Sequence, residues 1–100
     1  MVTNTEKHMR QQANEALSRA LKEFGGYDKH WITRFDYKEN ELFYFFPLAY
    51  VESMGPRKKD FIRILRKHWK KAGFKVDVYK EFPANDVFEI SCNSLLFCIK

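Results

Sequence analysis

The stretch Arg57–Glu81, "RKKDFIRILRKHWKKAGFKVDVYKE", changes its period part-way along. At 100° per residue, Phe61, Ile62, Ile64, Leu65, Trp69 and Ala72 gather on an arc of about 160°. That spacing predicts a helix over 57–72 with one buried face. Pro56 suits its first turn, and Gly73 ends it. Beyond the glycine the period drops to two: Phe74, Val76 and Val78 alternate with Lys75, Asp77 and Tyr79. A helix therefore runs straight into a half-buried strand.

Working outward, residues 5–24 predict a second helix. Met9, Ala13, Ala16, Leu17, Ala20, Leu21 and Phe24 recur at spacings of three and four. Asn4 or Thr5 can cap it, and the glycines at 25–26 stop it. "WITRFDY" (31–37) and "ELFYFF" (41–46) are rich in aromatic and branched residues and flank "KEN", which reads as a β-hairpin. In the first strand Trp31, Thr33, Phe35 and Tyr37 share one face, with Ile32, Arg34 and Asp36 on the other. The second is apolar on both faces at Phe43–Phe46, as expected of a central strand. Pro47 ends it, and "LAYVESMG" links to the basic helix. After the alternating strand, "FPAND" reads as a turn. "VFEISC" reads as a strand with Phe88, Ile90 and Cys92 inward. "SLLFCIK" closes the chain as a buried strand or a short helix.

The order is helix, hairpin, helix, hairpin. It predicts an α+β fold: two α-β-β units forming a four-stranded antiparallel sheet, five-stranded if the closing segment adds a strand, with two helices packed on one face. A faint internal echo, "DYKENELFYF" (36–45) against "VYKEFPANDVFEI" (78–90), fits a repeated unit. One hundred residues make a single domain spanning 1–100, with 1–4 outside its ordered part. At 45% hydrophobic residues and only seven glycines and prolines the composition is that of a folded chain. Cys92 and Cys98 cannot form a disulfide framework and read as free thiols in a reducing compartment. The polar N-terminus has no leader pattern. The apolar runs "LFYFFPLAYV" and "LLFCI" are too short to span a bilayer. A soluble, cytoplasmic protein with no membrane partner is expected.

Catalytic patterns are absent: there is no nucleophile elbow, P-loop, dinucleotide fingerprint, zincin motif or C-x-x-C pair. His8, His30 and His68 fall on separate elements, and His68 reads as a half-buried edge of the core. The carboxylates flank turns and strands singly. The chain is not expected to be an enzyme, to bind a metal or to carry a cofactor.

The informative feature is charge. Residues 57–75 hold nine basic residues against one acidic residue, so this stretch carries +8 while the whole chain carries +5. Lys59, Arg63, Arg66, Lys67 and Lys70 lie within about 100° of each other, opposite Phe61, Leu65 and Trp69, and Lys71 flanks them. Each like-charged neighbour at i,i+3 or i,i+4 costs about 0.2–0.5 kcal/mol. Arg57, Lys58 and Lys59 crowd the first turn, where the helix dipole favours anions. Lys75, Tyr79 and Lys80 extend the group onto the following strand, where lysine with tyrosine combines phosphate contact with base stacking. Arg34 and Lys38 stand near the first hairpin. A ridge held at a cost in stability points to a polyanionic partner.

Two functions follow. One is nucleic-acid binding, to DNA or RNA, through phosphate-backbone contacts, because no Asn or Gln on this face offers base readout. The other is a small regulatory or inhibitory protein, of the kind found in phages and mobile elements, that docks the same ridge on an acidic protein surface. Tyr27, Trp31 and Tyr50 would supply its anchor. The element order resembles in outline the double-wing DNA-binding domain of a phage transcription activator. That likeness is one of order and cadence over 61–91, and it implies no particular site residue. The aromatic run Phe43–Phe46 also predicts a sheet face able to form a homodimer.

Overall fold

The structure, a computed structural model, describes residues 4–26, 34–38 and 40–100. Helix α1 (Asn4–Phe24) leads to strands β1 (Arg34–Lys38) and β2 (Glu41–Pro47). A short helix α2 (Leu48–Glu52) and a 3-10 turn (Gly55–Arg57) lead into α3 (Lys58–Lys71). Strands β3 (Val76–Phe82) and β4 (Ser94–Ile99) close the chain. The four strands form one antiparallel sheet in the order β1-β2-β4-β3. The expected α+β architecture of two α-β-β units is present. The strand readings of Trp31, Ile32 and Thr33, the placing of Tyr27 and His30, and the capping by Asn4 or Thr5 lie outside what is described.

Both long helices pack on one face of the sheet. Ala13, Ala16 and Ala20 of α1 are buried, and their small side chains let α3 approach closely. Trp69 fills the junction: its ring lies 5.1 Å from Tyr44 and 5.2 Å from Phe97. Its indole Nε1 donates to the Ala13 carbonyl at 3.1 Å. Tyr44 Oη donates to Asn14 Oδ1 at 2.6 Å, tying the sheet to α1, and burial pushes its hydroxyl pKa upward. Gly73 takes φ 99° after α3. An L-residue resists that conformation, so the helix stops there and the chain turns into β3.

The opposite face is not bare. Phe45, Leu96 and Cys98 point into a second, smaller core with Ile90, joined by Phe43, Phe82 and Phe88. Residues 83–93, between β3 and β4, fold back over the sheet to supply Phe88 and Ile90. This corrects two expectations. "VFEISC" is not a strand; it makes only one bridge, Asn85 to Ile90. Asn85 Oδ1 accepts from the amides of Val87 (2.8 Å) and Phe88 (3.3 Å), and Glu89 takes φ 56°. A side-chain-nucleated turn thus wins over an extended run. The closing segment is the strand β4. All six of its residues are buried because both faces are covered. The sheet has four strands among the described residues, and the echo 36–45/78–90 does not superpose strand on strand. The second face, expected to be open for a homodimer, is filled by the chain's own loop.

β3 carries a one-residue bulge. Tyr79 opposes Leu96, but Phe82 opposes Ser94. The extra residue shifts the phase, so Tyr79 and Phe82 emerge on the same face, with ring centroids 6.4 Å apart. The bulge and its charged residues also blunt this edge against pairing with another chain.

Candidate nucleic-acid interface

α3 spans Lys58–Lys71 and buries Phe61, Ile64, Leu65 and Trp69. This fixes its rotation, so Lys59, Arg63, Arg66 and Lys70 face solvent on the side away from the sheet. At 1.5 Å per residue the four run in line for about 16 Å. Among the described residues Lys59, Arg66 and Lys70 have no ionic or hydrogen-bonding partner. Arg63 has only an exposed 3.6 Å pairing with Asp60, a geometry that contributes little in water.

The other cations of the stretch behave differently. Arg57 is a structural residue. Its Nη2 donates to the carbonyls of Phe24 and, at 3.2 Å, Gly25, and its guanidinium lies 4.0 Å above the Phe24 ring. It closes the open C-terminus of α1, where carbonyls lack helical partners. Lys58 Nζ sits 2.6 Å from Glu52. Lys67 Nζ reaches both carboxylate oxygens of Glu23, at 2.8 and 2.7 Å. His68 Nε2 lies 2.9 Å from the same Glu23. Those two hydrogen bonds, Lys67 first, hold the Glu23 carboxyl below its ordinary range. The expected first-turn phosphate site of Arg57, Lys58 and Lys59 is thus reduced to Lys59, because the other two meet acceptors within the fold.

The strand extension also divides. Val76 and Val78 pack toward the helices, so alternation places Lys75, Asp77 and Tyr79 on the opposite side of the sheet. Tyr79 is 51% exposed there, beside Phe82. Lys80 lies in the bulge at the sheet edge. Lys75, Tyr79 and Lys80 therefore do not continue the ridge of α3 as one surface. Lys71 is exposed on the flank of α3 that faces α1. Lys38 is exposed at the end of β1, and the side chain of Arg34 lies outside the described set. Of the anchor residues named for a protein partner, Tyr50 is 45% exposed on α2. Tyr27 and Trp31 are not described.

The chemistry elsewhere is quiet. Cys92 and Cys98 are free thiols. Burial pushes the Cys98 thiol up to about 11, with Glu41 and Asp77 adding to the shift. No cluster of three metal-ligating side chains occurs among the described residues. No helix among them is long and apolar enough to cross a membrane. Glu23 was missed in the sequence because its partners are 44 and 45 positions away.

No family model, curated protein or solved structure matches the chain. The outline likeness to a double-wing domain stays one of element order.

Proposed function

We propose that this protein binds nucleic acid through the outer face of α3, with Lys59, Arg63, Arg66 and Lys70 holding backbone phosphates. The observation that carries this reading is selective neutralisation. The fold supplies acceptors to Arg57, Lys58 and Lys67, yet among the described residues it leaves four aligned cations on a rigid helix without effective counter-charge. Their neighbours at i,i+3 and i,i+4 repel, at about 1 kcal/mol for the three pairs together. A phosphate track removes that repulsion. The stripe has no Asn or Gln, so binding is driven by the backbone and tolerant of sequence.

The number of free cations sets the size of the effect. Four neutralised phosphates give a slope of log K against log salt of roughly −3.6 on duplex DNA and roughly −2.8 on a single strand. If all eleven basic and aromatic candidates of the sequence formed one track, the slope would be more than twice as steep. The test is a fluorescence-anisotropy titration at several salt concentrations, with wild type and a Lys59→Gln, Arg63→Gln, Arg66→Gln, Lys70→Gln variant. The variant should fold normally and lose nearly all binding. Undetectable binding of wild type to DNA and RNA at low salt would overturn the proposal and leave an acidic protein surface as the target of the ridge.

A further inference from the structure

A cleft of about 260 Å³ opens between α1 and α3, lined by Arg19, His68, Lys71 and Ala72. Its volume equals roughly eight or nine waters, enough for a tetrahedral anion with some solvent. Among the described residues that line it, Arg19 and Lys71 carry cationic heads and none is acidic. The acids of α1 that flank Arg19 form no ion pair with it or with Lys71 among the described residues. Glu23, one helical turn from Arg19, is taken up by Lys67 and His68. Glu15, one turn the other way, accepts from Gln11 at 3.4 Å. Arg19 and Lys71 have no partner among the described residues. His68 is held in place, with its side chain only 14% exposed and Nε2 against Glu23.

We infer that this cleft is a phosphate-monoester site at the C-terminal flank of the ridge, and that its ligand is the terminal phosphate of a bound strand. The donor set selects the chemistry. A carboxylate, with one charge and two oxygens, is satisfied by one arginine fork. A backbone diester has two free oxygens and is served by a single ridge cation. A terminal phosphate has up to two charges and three free oxygens, which suits the guanidinium of Arg19 and the ammonium of Lys71, brought to one cleft by two helices. The strand as the source rests on the proposed nucleic-acid reading; the phosphate chemistry does not.

Two arms test it. In the first, inorganic phosphate is titrated at constant ionic strength while NMR follows the His68 ring and the Ala72 amide. Saturable shifts are expected in wild type and in the Lys59/Arg63/Arg66/Lys70 variant alike, and should be lost in Arg19→Gln, Lys71→Gln. This arm needs no nucleic acid, so it separates failure of the cleft from failure of the ridge. In the second, anisotropy compares the same oligonucleotide with a terminal phosphate and with a terminal hydroxyl. Wild type should prefer the phosphorylated strand about tenfold, equivalent to 1.4 kcal/mol, and the Arg19/Lys71 variant should lose that preference. Shifts no larger than those with chloride overturn the site. Saturable phosphate binding without a strand preference overturns the strand as its source and leaves free phosphate.

Discussion

Replacing Arg57 with glutamine separates two roles that one cation in this stretch can play. The residue looks like the first member of a phosphate site, yet the fold uses it to close α1. Its hydrogen bonds reach the Phe24 and Gly25 carbonyls, and its guanidinium covers the Phe24 ring at 4.0 Å. A hydrogen bond from a charged donor contributes about 1.5–3 kcal/mol. Arg57 is exposed, so the lower end applies and the solvent-facing bond to Gly25 adds little. The ring contact adds about 0.5–1 kcal/mol. Arg57→Gln should therefore cost about 2 kcal/mol, which lowers the melting temperature of a domain this size by roughly 8–16 °C. Lys59→Gln removes the same charge two residues on. It should stay within about 0.5 kcal/mol of wild type, or gain slightly, because it relieves repulsion with Arg63 and takes a cation from a helix N-terminus. Arg57→Lys keeps the charge without the planar fork and should lose about half as much stability as Arg57→Gln, about 1 kcal/mol. Urea unfolding followed by circular dichroism reads all three. Binding should order them the other way: Lys59→Gln lowers the salt slope by about one, while Arg57→Gln leaves it unchanged. Equal destabilisation by Arg57→Gln and Lys59→Gln, or a stable Arg57→Gln protein with a reduced salt slope, would refute the assignment.

Trp69→Phe should destabilise by about 2 kcal/mol, from loss of the bond to the Ala13 carbonyl and the void left between α1, Tyr44 and Phe97. A denaturation midpoint equal to wild type would show that this bond does not hold the helices together. With its thiol near 11, Cys98 at pH 8 has about a thousandth of its molecules as thiolate, and thiolate is the reactive form. Alkylation of the native protein at that pH, read by mass spectrometry, should modify half-buried Cys92 well before Cys98; similar rates at the two sites would contradict the burial argument.

Much of the fold was legible in the sequence because it is written in local periods. The apolar arc of 61–72, the stripe of 9–24 and the alternation of 74–78 each report a face that must be buried, and the structure buries them. The doubly apolar run 43–46 marked a central strand, and β2 is central. The parts that were not legible depend on partners distant in the chain. "VFEISC" has strand composition, but Asn85 turns its own backbone and carries Phe88 over the sheet instead. α2 is hidden within the linker, because its five residues are too few to show a helical period. The bulge in β3 is invisible to a pattern of alternation, since a single extra residue mimics the end of the strand.

The candidate site divides along the same line. The sequence by itself determined that α3 carries one basic face and one apolar face, because the 100° step between residues sorts them without reference to the rest of the molecule. Only the tertiary structure decided which of those cations are free. The packing of α1 against α3 delivered Glu23 to Lys67 and His68 and the α1 terminus to Arg57, and the turn from α2 into α3 delivered Glu52 to Lys58. Charge counting cannot anticipate this, because the acceptors lie 6 to 45 positions away. The pleat decided the rest. It sends Tyr79 out through the far side of the sheet, away from the ridge of Lys59, Arg63, Arg66 and Lys70, while the packing of α1 against α3 sets Arg19 beside His68 and Lys71.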